Sequence, residues 1–135
     1  MDGKLRASVR QAQRLGSFRL ITRDSRWISF VEYCTTIELC PSGQVAISGW
    51  FYPTTLGNLQ HNKEICVVVW DTGVKAGSEL LGKLVAIDDL VHANGRTHTS
   101  RIPPSKKRLM VKIEQLIELN QENYLLLAEE ASLLR

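Results

Sequence analysis

The stretch from Ala46 to Asp71, AISGWFYPTTLGNLQHNKEICVVVWD, holds the residues best placed to do chemistry. Pro53 ends an aromatic run, and Thr54 and Thr55 follow it at the head of a short helical pattern, Leu56 to Asn62. The start of a helix offers backbone N–H groups that have no partner within the helix. Two hydroxyls beside those groups would make an anion-binding position. The same hydroxyls also serve as ordinary N-caps, and residue types alone leave both roles open.

Little else in the chain suggests catalysis. There is no GxGxxG, Walker, HExxH or GxSxG pattern, so no catalytic residue is assigned and hydrolase chemistry is not indicated. His61, His92 and His98 fall on the helical stretch and on a polar loop, with no carboxylate and nucleophile nearby, and read as solvated. Cys34, Cys40 and Cys66 form no CxxC pair and have no histidine at metal-ligand spacing. They read as buried thiols of a reducing compartment, and no metal is expected.

The elements that must position this segment follow from periodicity. Residues 3–15 predict an amphipathic helix with Leu5, Val9, Ala12 and Leu15 on one stripe, stopped by Gly16. Strands are predicted over 18–23, 27–39, 44–52, 65–70, 79–90 and 107–119. Turns fall at Asp24-Ser25-Arg26, Pro41-Ser42-Gly43 and Asp71-Thr72-Gly73. Ile65 to Trp70 is continuously apolar, as in a strand buried on both faces. Gly82, inside a strand, signals a bulge or a close backbone approach. Residues 91–106 read as a long loop and 122–134 as a terminal helix. Six strands in hairpin order, without βαβ alternation, indicate a mainly β protein, a small closed or partly closed antiparallel barrel.

Composition fits that picture. With 135 residues, 44% of them hydrophobic and 23% charged, the chain suits one globular domain, and disorder or a collagen-like structure is excluded. The formal charge of +3 is unevenly spread. Lys4, Arg6, Arg10, Arg14, Arg19, Arg23 and Arg26 crowd the N-terminal part, and Arg96, Arg101, Lys106, Lys107, Arg108 and Lys112 form an acid-free segment. The body between them and the tail after them are acidic. No apolar run reaches the roughly 18 residues of a membrane span, and the N-terminus lacks an apolar signal core. A soluble, cytoplasmic protein is expected.

The same segment resembles the phosphate-binding part of the FMN-binding split-barrel proteins, the superfamily of pyridoxamine 5′-phosphate oxidase. Phe51-Tyr52 ends the aromatic strand, Thr55-Leu56-Gly57-Asn58-Leu59 is similar to the Thr-x-x-Asn-Leu helix start, and Asn62-Lys63 stands at the Asn-Pro corner. Val67-Val68-Val69-Trp70-Asp71 looks like the strand that follows. Leu20 to Ser25, Gly77 to Leu90 and Lys107 to Leu119 are similar to the opening, middle and closing strands, so about 100 residues follow the family order.

The resemblance implies a six-stranded antiparallel split β-barrel with a short mid-chain helix and terminal helices, one domain over 1–135. It further implies a flavoprotein oxidoreductase, cytoplasmic, with FMN held at the interface of a homodimer. Ser48, Gly49, Trp50 and Phe51 would lie along the ring or ribityl chain, and Thr54, Thr55 and Asn58 near the phosphate. Trp50 and Phe51 read equally as barrel core or dimer contact, and Trp27 and Trp70 as core or interface aromatics. Thr54 stands where the superfamily often carries a base, and Glu32 lies in the strand where the oxidases carry others. A phosphate would then rest on hydroxyls, amides and a base from elsewhere, such as a second subunit.

Two other readings remain. A split barrel can bind haem, a deazaflavin or no redox cofactor at all. A small barrel with basic arms can also hold nucleic acid, between the 96–112 segment and the N-terminal arginines. Against the latter, the aromatics are not interleaved with those bases into a stacking platform. The substrate and the electron donor stay unassigned.

Overall fold

A computed structural model describes residues 2–92 and 105–133. Three helices, α1 (Asp2–Leu15), α2 (Pro53–His61) and α3 (Gln121–Leu133), accompany seven strands. These are β1 (Phe18–Arg23), β2 (Ser29–Cys34), β3 (Thr36–Cys40), β4 (Gln44–Gly49), β5 (Glu64–Asp71), β6 (Ala76–His92) and β7 (Ser105–Leu119). All strands pair antiparallel in one sheet, in the order β2-β1-β5-β6-β7-β4-β3.

The strand count is seven where six were expected, because the span 27–39 divides. Trp27 sits in a turn with φ +68°, and Thr35 separates β2 from β3. Inward residues Cys34 and Ile37 lie three apart rather than two, so the pleat changes phase there. The edge strands β2 and β3 stand at opposite ends of the sheet yet are joined by Thr35 alone. One residue spans at most about 3.6 Å. The sheet must therefore curl enough to bring one end of each edge strand to that residue, although no ladder joins β2 to β3 among the described residues.

Inside the curl lies the main core. Leu20, Ile37, Val45, Ile47, Val67, Val69, Leu80, Leu109, Val111 and Ile113 point inward, and Leu5, Val9 and Ala12 of α1 and Leu59 of α2 plug the space. Each such Leu, Ile or Val contributes about 1.5–3 kcal/mol by leaving water. Strand β5 is buried on both faces, as its unbroken apolar run predicts. Ile65, Val67 and Val69 enter the main core, while Cys66 and Val68 join Ile21 and Leu119 in a second cluster. Tyr124 and Leu127 of α3 pack against that second cluster.

Local signals explain the ends of elements. Gly16, at φ +79°, ends α1 with its N–H bonded to Ala12 O at 2.9 Å. At the start of α3, the Asn120 and Asn123 side chains each accept the other's backbone N–H, at 2.9 and 2.7 Å, a reciprocal cap. The register between β6 and β7 shifts at Leu81/Gly82, the bulge that Gly82 signalled. A Cβ at Gly82 would lie 2.2 Å from Lys112 O, so this is also a close backbone approach.

The loop expected over 91–106 is shorter than predicted, since the ladder continues through Val91↔Lys106 and His92↔Ser105. Residues 93–104 of it lie outside the described residues, as do residues 134–135 at the end of the expected terminal helix. Among the described residues no helix is long and apolar enough to cross a membrane.

Candidate ligand site at the start of the middle helix

Strand β4 ends at Gly49, earlier than its aromatic composition suggests, and Trp50-Phe51-Tyr52 carries the chain to α2. Pro53 is the first helical residue, where its fixed φ suits a helix and its missing N–H costs nothing. The helix therefore starts before Leu56, and Thr54 and Thr55 lie inside its first turn rather than capping it. Tyr52 is the N-cap residue, and it makes no side-chain cap bond.

The cap comes from another strand. Glu32 of β2 is buried at 6% exposure, on the inward face it shares with Cys34. Thr55 donates its hydroxyl to Glu32 Oε1 at 2.6 Å. The Tyr52 N–H is shared between Oε1 and Oε2, at 3.2 Å to each. A carboxylate at a helix N-terminus is favoured both by the free N–H groups and by the helix dipole. Among the described residues Glu32 makes no ion pair, so its charge is held by neutral donors alone.

The expected site residues divide into four groups. Thr55, at 1% exposure, turns to Glu32, and buried Asn58 donates its side-chain amide to Thr22 Oγ1 at 3.1 Å. Phe51 is packed in the main core. Thr54 and Trp50 face solvent, as does the neighbouring Tyr52, which was not among the expected residues, the two aromatics at 52% and 61% exposure. Ser48 and Gly49, half-buried at the end of β4, pair with Arg108 and Lys107 of β7. Phe30 of β2 stands edge-on to Tyr52, ring centroids 6.0 Å apart. The corner thus combines an open aromatic surface with a closed polar interior.

The sequence matches no family model and no curated protein. Solved structures do share its fold. An FMN-binding protein from Syntrophomonas wolfei subsp. wolfei superposes with TM-score 0.65 at 19% identity, covering 89% of this chain and 89% of that one. A pyridoxamine 5′-phosphate oxidase-related, FMN-binding protein from Nostoc punctiforme gives 0.62 at 8% identity, over 89% and 84% of the two chains. The fold is that of the pyridoxamine 5′-phosphate oxidase-like split barrels. The haem storage protein HutZ from Vibrio cholerae is also similar, with TM-score 0.51, 12% identity and coverage of 80% and 89%.

The place where a flavin phosphate was expected is partly filled by the protein's own groups. Of the residues expected near the phosphate, Thr54 faces solvent, while Thr55 Oγ1, together with the N–H at Tyr52, is taken by a carboxylate that is itself an anion. Asn58 is committed to Thr22. Nor do the nearby bases stand free. Lys107 bonds to Asp89, and Arg108 lies 3.6 Å from Asp88, both acids of β6.

Sequence reasoning placed Glu32 in the right strand without its role. The signal was an acid at an inward position between Phe30 and Cys34, where a buried charge must find partners. Two of the three thiols are buried, and burial favours their protonated form. Burial, helped by the neighbouring Glu32 charge, pushes Cys34 up to about 12, and burial beside Glu79 pushes Cys66 up as well. Cys40 is half-buried, and all three are free.

Proposed function

We propose that the chain is a homodimeric split-barrel protein that binds a flavin-class cofactor by its ring at the Ser48–Tyr52 corner. The observation that carries this reading is the open aromatic surface of Trp50 and Tyr52, backed by Phe30 and Phe51, on a fold that FMN-binding proteins share. An isoalloxazine ring is flat and amphipathic, and aromatic side chains pack on such rings at about 0.5–1.5 kcal/mol beyond the area they bury. A bound flavin would supply redox chemistry, making the protein a cytoplasmic oxidoreductase. The chain's residues would bind and orient the ring and keep one face dry.

The homodimer has a related support. Trp27, Tyr33, Trp50 and Tyr52 are all large and exposed in a single copy. A second copy that covered part of this surface would enclose the ring between chains.

The test is a titration of the purified protein with riboflavin, FMN, a deazaflavin and haemin. Quenching of flavin fluorescence, lost in Trp50→Ala, is the expected result. A Soret band with haemin and no flavin quenching would assign the corner to haem instead. No spectral change with any of the four would overturn the reading. Light scattering on the same sample reads the dimer.

A further inference from the structure

The start of α2 is already occupied by an anion that belongs to the protein. Glu32 projects from β2, whose register on β1 is fixed over six consecutive pairs, from Phe18↔Cys34 to Arg23↔Ser29. Its carboxylate is buried, accepts the Thr55 hydroxyl and the Tyr52 N–H, and has no cation beside it among the described residues. A phosphate brought to the same donors would meet this charge at a few ångströms in a site of low polarity, where repulsion is far stronger than in water. Swinging the carboxylate aside would strand a buried charge and two donors.

We propose that Glu32 is the specificity-determining residue of this site. It fills the anion position and selects a ligand without phosphate there, so that riboflavin is bound in preference to FMN. This rests on the flavin reading above for the identity of the ring, but the filling of the anion position stands on its own geometry.

Two measurements separate these claims. In the first, wild-type protein is titrated with riboflavin and with FMN. Riboflavin is expected to bind at least about tenfold tighter, the effect of roughly 1.4 kcal/mol of repulsion. Glu32→Gln, which keeps the side-chain length and removes the charge, should shrink that ratio toward one. In the second, Glu32→Ser vacates the position, and inorganic phosphate should raise its Tm by several degrees over chloride at equal ionic strength, with wild type unmoved.

Equal affinity of wild type for the two flavins would overturn the proposal, as would a Glu32→Ser protein that gains no more from phosphate than wild type. If phosphate stabilises Glu32→Ser while neither flavin binds any form, the anion position is confirmed and the flavin reading alone fails. Should Glu32→Ser not fold, the flavin ratio in Glu32→Gln decides.

Discussion

Glu32 and Thr55, 23 residues apart in the chain, are joined by a 2.6 Å hydrogen bond that fastens β2 to the first turn of α2. Both groups are buried, so neither can exchange its partner for water. Thr55→Val keeps the shape and removes the donor, leaving the carboxylate one bond short. A loss of about 2 kcal/mol is expected in urea unfolding, while Thr55→Ser should lose much less. Combined with Glu32→Gln, the Thr55→Val loss should be non-additive, because both changes cut the same bond. Simple additivity would show that the contact does not hold α2 in place.

Gly82 and Gly57 give opposite predictions for the same substitution. Gly82→Ala drives a methyl to 2.2 Å from Lys112 O and 3.1 Å from Ile113 Cα, backbone atoms that cannot turn away. The bulge between β6 and β7 would have to open, at a cost of about 3 kcal/mol or more. Gly57, within α2, has nothing within 4 Å of a new Cβ. Gly57→Ala should therefore stabilise the protein by about 0.5–1 kcal/mol through helix propensity. Thermal melts of the two variants on either side of wild type would bear this out.

These cases mark what was readable from sequence. Gly16, Gly82 and the Ile65–Trp70 run declared their roles because each acts through its immediate neighbours or through burial itself. The break at Thr35 was hidden, since no glycine or proline marks it. Its trace is the phase slip from Cys34 to Ile37, which matters only once the sheet has curled. Trp27 read as strand by composition, but it closes a turn set by Asp24, whose carboxylate accepts the Arg26 and Ile28 N–H groups at 2.8 and 2.9 Å. Those bonds, the Ile28 N–H foremost, hold the Asp24 carboxyl below its ordinary value. The Thr55–Asn58 spacing was legible as a helix start. What it holds was not, because the partner lies on a strand that only tertiary folding delivers.

Stability should fall in alkali through two thiols. In the unfolded chain Cys34 and Cys66 titrate at their ordinary value of 9.0, while in the folded chain both are pushed up by burial. Above that value the unfolded state releases protons that the folded state keeps. Stability therefore declines as pH rises, by up to about 1.4 kcal/mol per pH unit for each thiol. For Cys34 the decline ends near 12, where the folded thiol also ionises. Below the ordinary value both states are protonated and the full contribution is present. Urea midpoints measured from about pH 8 to about pH 10 should fall more steeply for wild type than for the Cys34→Ala/Cys66→Ala double variant. Parallel slopes would show that other groups govern the decline.

Among the described side chains of α3, Tyr124 makes the most specific docking contacts. Tyr124 stacks on Trp70 with ring centroids 4.0 Å apart and planes 2° from parallel. Arg19 donates to its hydroxyl and lies 5.3 Å from its ring centroid. The neighbouring Leu125 and Leu126 are exposed, so they add little to the docking. An aromatic stack and a cation–π contact are each worth about 0.5–1.5 kcal/mol. Tyr124→Ala should then cost about 2 kcal/mol, and the backbone amides of α3 should lose most of their hydrogen-exchange protection. Tyr124→Phe keeps the stack and gives up only the Arg19 bond, so protection should survive at a smaller cost. Because α3 covers the cluster of Ile21, Cys66, Val68 and Leu119, the alanine variant should also open Cys66 to thiol reagents. An α3 that stays protected in Tyr124→Ala would mean that Leu127 and the reciprocal asparagine cap suffice to dock it.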